Sequence, residues 1–275
     1  MIQLKSNKSP GPDNIPVKII KNNVVPFSRI LSESFNLMIQ TGSYPDCLKT
    51  AKVVPIFKAG DPSKADNYRP ISTLSVISKI YEKLLMKRLI DFLDSHDIFY
   101  KLQYGFRNGS STTMAVAELV DQILGETDAK KIVGALFLDL EKAFDTLNHD
   151  ILLRKLEQYG IRGVANNLIN SYLSNRNQYV SHDGDISSRR EISNGVPQGS
   201  NIGPLLFLIY INDISKVNLI GAPRLFADDT AIFYPHTSLD LIVSNMKQNI
   251  RLLQYYFTVN LLSLNLKKNK YMIFG

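Results

Sequence analysis

The sequence predicts an α+β fold in which helices pack on one face of a small antiparallel sheet. Stretches with apolar residues at helical spacing point to helices, the clearest being Ile77, Ile80, Tyr81, Leu84, Leu85, Leu89 and Phe92 within residues 76–95. Short apolar runs at 132–139, 225–234 and 271–274 have strand length. No internal repeat, low-complexity tract or linker interrupts the 275 residues.

Taken in order, residues 5–15 are rich in Ser, Pro, Gly and Asn and read as an extended loop. Ile30, Leu31, Ser34, Phe35 and Met38 mark a helix that ends at Gly42. Residues 51–57 form a strand, which Pro55 limits to a sheet edge, and 58–70 a polar loop. The helix at 76–95 is followed by one capped near Ser111 and Thr112 and running to Gly125. The continuous apolar run at 132–139 stops at a carboxylate, as a buried strand does when it reaches a functional edge. Helices follow at 149–159 and 163–174, and a buried one from Gly203-Pro204, where proline suits the first turn. Residues 225–234 read as a hairpin turning at Asp228-Asp229, residues 239–257 as an amphipathic helix, and 271–274 as a last strand.

Lys and Arg number 32 against 25 Asp and Glu, a formal net charge of +7. The first hundred residues carry +5 of this and the remainder +2, so the first hundred are the better candidate for a phosphate-facing lobe. A single cysteine, Cys47, excludes an intramolecular disulfide and a thiolate metal cluster. The start has no apolar stretch fit for a signal peptide, and no run approaches the roughly 18 residues of a membrane span. An intracellular, soluble protein without a membrane partner is expected.

Two apolar runs deliver aspartates: Val133-Gly-Ala-Leu-Phe-Leu-Asp139 and Leu225-Phe-Ala-Asp228-Asp229. Carboxylates on neighbouring strands are hard oxygen ligands at a fixed separation, which suits a pair of Mg²⁺ ions in phosphoryl transfer. Taken singly, Asp228-Asp229 suits a turn and Asp139 a helix cap equally well.

Phe226-Ala-Asp-Asp229 resembles the Tyr/Phe-X-Asp-Asp box of reverse transcriptases, and Asp139-Leu-Glu-Lys-Ala-Phe-Asp145 resembles the preceding box of non-LTR, jockey-type elements. Gly195-Val-Pro-Gln-Gly-Ser200 with Gly203-Pro-Leu-Leu-Phe-Leu208 lies between them and resembles the box that supports the templating base and incoming nucleotide. Ser9-Pro-Gly-Pro-Asp13 resembles the N-terminal extension of non-LTR enzymes. Val53–Lys58, Asn67–Ser72 and Gln103-Tyr-Gly-Phe-Arg107 resemble fingers blocks. The segment 260–268 resembles a late palm block, with Asn269 where the family has threonine.

The resemblance implies a polymerase right-hand fold without a thumb: mainly fingers over 1–125 and mainly palm over 126–275. The implied activity is RNA-directed DNA polymerisation, extending a DNA primer on an RNA template with dNTPs during retrotransposition. Asp139, Asp228, Asp229 and the Leu140 carbonyl would hold two Mg²⁺ ions, with Mn²⁺ as a substitute. Phe144 would exclude a 2′-hydroxyl, and Gln198 and Gly199 would approach the nucleotide. Lys58 and Arg69 would clamp the triphosphate, and Lys268 would meet the pyrophosphate leaving group. Further implied partners are the rest of a retrotransposon polyprotein, the thumb and an endonuclease among them, in the nucleus or cytoplasm. The alternative is a truncated, non-catalytic RNA-binding remnant of such an enzyme.

Overall fold

The computed structural model describes residues 9–275, so residues 5–8 of the predicted opening loop lie outside the described residues. In chain order the elements are α1 (Val17–Asn22), α2 (Val24–Thr41), β1 (Thr50–Phe57), β2 (Tyr68–Thr73), α3 (Val76–Ser95), α4 (Thr112–Asp128), β3 (Ile132–Leu138), α5 (Ala143–Thr146) and α6 (His149–Gln158). Then come α7 (Val164–Leu173), β4 (Arg176–His182), β5 (Asp185–Ile186), β6 (Arg190–Ile192), α8 (Gly203–Ile211), β7 (Arg224–Phe226), β8 (Asp229–His236), α9 (Leu239–Val259) and β9 (Lys270–Phe274). They form two compact units, one from the chain up to Ser95 with His149–Gly203, the other from His96–Asn148 with Pro204–Gly275. Compactness thus groups residues along a different line from the division at 125 and 126.

In the first unit the strand order is β2-β1-β4-β5, with β6 also on β4. The expectation of an edge strand at 51–57 is corrected: β1 lies between β2 and β4. Its parallel ladder with β4 covers only Thr50 to Val53, so Pro55, which pairs with Pro70 of β2, stands where no N–H is needed on the other side. The polar loop predicted to Pro70 ends earlier, because β2 starts at Tyr68. Helix α2 ends as predicted: Gly42 is left-handed at φ 65°.

The core of this unit holds Phe35, Tyr44, Tyr81 and Tyr172, with ring centroids 4.8 to 5.4 Å apart. Beneath them Glu82 is fully buried. Its Oε1 accepts from the Tyr172 hydroxyl at 2.7 Å and its Oε2 from the Asn201 N–H at 2.7 Å. Burial pushes the Glu82 carboxyl up, and these bonds with the nearby Arg176 guanidinium pull against that.

The second unit is built on the antiparallel sheet β7-β8-β3-β9. Helices cover both of its faces, which corrects the one-faced packing expected. Val133 and Ala135, with Phe233, pack against Ile123 and Leu119 of α4. Gly134 points the other way: a Cβ there would sit 2.3 Å from Ile242 and 2.6 Å from Met246, both on α9. The period of two sends alternate residues of β3 to opposite helices. The apolar run 132–138 therefore carries no polar alternation. Helix α8 is buried from Leu205 through Ile211.

Candidate active site

Asp139 follows the C-terminal end of β3, an inner strand of the second unit's sheet, and its neighbour β8 brings Asp229, pairing as far as Leu138↔Thr230. The hairpin turn lies one residue earlier than predicted. Phe226 pairs with Asp229, so the two turn residues are Ala227 and Asp228. Ala227 has φ 57°, the left-handed region that a primed hairpin turn demands and that alanine rarely fills.

A strap of residues 263–269 fixes Asp139. Its carbonyl accepts from the Asn265 N–H at 2.9 Å, and its N–H donates to Asn269 Oδ1 at 3.0 Å. Asn265 Nδ2 donates to Asp139 Oδ2 at 2.9 Å, and the Lys268 ammonium stands 3.1 Å from the same oxygen. Asn269 thus has a job that its replacement of the family's threonine did not announce. Leu140 faces Leu264 in a bridge whose hydrogen bonds belong to Asp139 and Glu141, so the Leu140 carbonyl lies outside that ladder.

Two of the carboxylates feel their neighbours. Asp228 is pushed up by burial and by the charge of Asp139, while a backbone N–H and Lys268 pull it down. Desolvation of Asp229, then Asp228 and Asp139, push Asp229 up, against Lys268. Crowded anions of this kind, with a backbone carbonyl beside them, are hard oxygen donors of the class Mg²⁺ takes. Among the described residues no three His, Cys, Asp or Glu side chains stand together closely enough to hold an ion. The aspartates therefore fit a divalent cation by donor chemistry and not as a preassembled cage.

Phe144, half-buried at α5, has its ring 4.8 Å from that of Phe207 and 6.2 Å, edge-on, from that of Phe106. Asp139, Asp229 and Lys268 also border a cavity of about 400 Å³ under α4, lined mainly by apolar side chains.

The remaining predicted residues belong to the first unit. Lys58 and Arg69 are exposed at the β1–β2 hairpin, where the Lys58 N–H donates to the Asn67 carbonyl at 2.9 Å. The turn holding Gln198 and Gly199 docks on β2: the Ser72 N–H donates to the Gln198 carbonyl at 2.8 Å. Gly199 has φ 116°, and a Cβ on it would meet the Ser72 carbonyl oxygen at 2.6 Å. Gln198 Oε1 is buried without a hydrogen-bond partner among the described residues, an acceptor left over for something else. Sequence reasoning gave no role to Asn265, Asn269, Gln103 or Glu82. For Glu82 a signal existed: Ser78, Glu82, Leu85 and Leu89 share one face of α3.

The family described as "Reverse transcriptase (RNA-dependent DNA polymerase)" matches residues 56–273. The "Probable RNA-directed DNA polymerase from transposon X-element" of Drosophila melanogaster is 33% identical over 242 residues, 85% of this chain and 26% of that protein. The "RNA-directed DNA polymerase from mobile element jockey" of the same organism is 29% identical over 267 residues, 92% and 28%. The chain spans about a quarter of the length of these relatives. Among solved structures, apo telomerase from Candida tropicalis, truncated from its C-terminal domain, superposes with a TM-score of 0.59 at 13% identity, covering 90% of this chain and 56% of that one. At that identity the likeness concerns the fold, that of reverse-transcriptase fingers and palm. With the family match running through both aspartate boxes, this chain belongs to the reverse transcriptase (RNA-dependent DNA polymerase) family.

Proposed function

We propose that this chain is the polymerising part of a non-LTR retrotransposon enzyme, adding deoxynucleotides to a primer 3′-OH under the direction of an RNA template. One observation carries the reading: β3 and the β7–β8 hairpin bring Asp139, Asp228 and Asp229 into mutual electrostatic reach, with Lys268 among them. Asp139 raises the pKa of Asp228, and both raise that of Asp229, a crowding of negative charge that a bound cation would offset.

Asp139, Asp228, Asp229 and the Leu140 carbonyl would hold two Mg²⁺ ions, or Mn²⁺ in their place. Bound there, such ions offset charge on the transferred phosphoryl group and on the attacking and leaving oxygens. Asn265 and Asn269 hold Asp139 in one orientation for this. Lys268, ion-paired to Asp139 at 3.1 Å, is within reach to neutralise the pyrophosphate leaving group. Phe144 closes the space of a 2′-hydroxyl. In the other unit, Arg69 offers a bidentate phosphate contact and Lys58 a point charge. Gln198 presents its unpartnered acceptor to the nucleotide, and Gly199 lets backbone approach it. We assign the fingers mainly to residues 1–125 and the palm mainly to 126–275. The implied partners are an RNA template with a DNA primer, dNTPs and the rest of a retrotransposon polyprotein, thumb and endonuclease included. The implied setting is intracellular, in nucleus or cytoplasm. Among the described residues no helix is long and apolar enough to cross a membrane.

Asp228→Asn tests this, because it removes a ligand charge and nearly keeps the shape. Single-nucleotide primer extension with Mg²⁺ should fall at least about 100-fold, since losing several kcal/mol of charge stabilisation corresponds to tenfold per 1.4 kcal/mol. The folded state should survive by circular dichroism. Extension at the parental rate would leave Asp228 with no role beyond the turn and make the non-catalytic remnant the better description.

A further inference from the structure

The turn that carries Asp228 is an expensive one. A left-handed alanine is strained, and such a residue persists only where its surroundings over-determine it. Ala227 is 6% exposed, and the group that holds it comes from a distant part of the chain. Gln103, itself 5% exposed, accepts the Ala227 N–H on Oε1 at 3.0 Å and sets Nε2 3.4 Å from the Ala227 carbonyl. The same Oε1 accepts the Gly105 N–H at 2.8 Å. Around it the backbone is laced to β7: the Tyr104 N–H donates to the Leu225 carbonyl, and the Leu225 N–H to the Leu102 carbonyl, each at 2.8 Å.

Two features make this a clamp and not a chance contact. The Ala227 carbonyl belongs to the peptide unit whose nitrogen is that of Asp228, so the amide that grips it sets the plane from which the Asp228 side chain departs. The approach is also closer than any side chain on residue 105 permits, since a Cβ on Gly105 would lie 2.2 Å from the Ala227 nitrogen. Only a side chain with an acceptor and a donor on one planar head matches the N–H and C=O that Ala227 presents. Glutamine supplies both at this reach.

We infer that Gln103 is a positioning residue for the reaction: it holds the Ala227–Asp228 peptide in its strained form and thereby aims Asp228. The inference rests on the polymerase reading above, in which Asp228 is a metal ligand.

The test uses the full chain as parent, Gln103→Met, which is close in shape but makes no hydrogen bond of this kind, Ala227→Gly, and the double variant. Three quantities are read: amide exchange at residue 227, Mn²⁺ affinity by electron paramagnetic resonance, and kcat and KM for single-nucleotide extension. Gln103→Met should lose protection at Ala227. Its Mn²⁺ affinity and kcat should fall roughly 10–100-fold, the usual effect of losing a group that orients a ligand, with KM for dNTP changed less than about twofold. In the double variant, glycine accepts the left-handed turn without a clamp, so most of the lost affinity should return. A role confined to filling the core would show no such return. Should Gln103→Met fail to fold, the double variant is compared with Ala227→Gly alone. Faster exchange at residue 227 in the double variant then supports the clamp, and equal exchange overturns it. Parental Mn²⁺ affinity in Gln103→Met, with Ala227 still protected, overturns this inference alone. A parent chain that binds no Mn²⁺ overturns the polymerase reading and takes the inference with it.

Discussion

Phe144, proposed as the wall against a 2′-hydroxyl, is also held by packing. Its ring packs against that of Phe207 and meets that of Phe106 edge-on, contacts that restrain its position. A wall against a 2′-hydroxyl needs that rigidity, because a ring free to rotate away would admit ribose. Phe144→Val should lower the dNTP-over-rNTP preference in kcat/KM by about tenfold or more, within the range a hydroxyl-sized change commands in a fitted pocket. The half-buried site should lose about 1–2 kcal/mol of stability from the smaller side chain. An unchanged preference alongside that stability loss would return the ring wholly to the core. That Asp139, Asp228 and Asp229 would come together was legible from sequence, because each ends an apolar run of strand length. The residues that orient them were not. Asn265 and Asn269 grip Asp139 through atoms that a sequence pattern does not distinguish from those of any polar loop.

At the scale of elements, long periodic segments were legible and polar, short or register-dependent ones were not. Helix α3 falls at the predicted residues, and Ser111 caps α4 by accepting the Met114 N–H. Strands β4 to β6 escaped prediction because Arg176–Ile192 has no apolar alternation, its pattern being mostly intermediate and exposed. The β7–β8 turn was misplaced by one residue for a physical reason. Asp-Asp is the better turn pair by propensity, yet Ala227 takes the left-handed place, with its N–H donated to Gln103 Oε1. For Gly199 the sequence suggested a close backbone approach to a nucleotide, and the structure shows a close approach of another kind, to β2. At φ 116° and 2.6 Å from the Ser72 carbonyl, Gly199 tolerates no side chain. Gly199→Ala should cost about 1–3 kcal/mol for the backbone conformation alone, lowering Tm by several degrees. It should also raise KM for dNTP, because the displaced turn carries Gln198. A variant with parental Tm and KM would show that β2 yields to the methyl group and that the tight approach has no consequence.

For the molecule as a whole, charge is the property to test, since the net +7 is carried mainly by the first hundred residues. Template–primer binding should be governed by Lys and Arg neutralising phosphates, so the logarithm of the affinity should fall linearly with the logarithm of salt concentration. Each phosphate contact contributes a slope of roughly 0.7 to 0.9. Asp228→Asn should leave both affinity and slope at parental values while extension collapses, because the carboxylate serves the reaction and not the grip on nucleic acid. Lys58→Ala with Arg69→Ala separates two uses of the same charge. Among the described residues neither side chain has an ion-pair partner, so both are available to an anion. If they clamp the triphosphate, the salt slope for template–primer should stay as in the parent while KM for dNTP rises at least about tenfold, the loss of two charge-assisted contacts. If instead they hold the template backbone, the slope should drop by roughly 1.4 to 1.8, the share of two contacts, with KM for dNTP little changed. Filter binding across a salt series, beside single-nucleotide extension across a dNTP series, distinguishes the two, and a reduced slope with parental KM would move Lys58 and Arg69 from the nucleotide to the template.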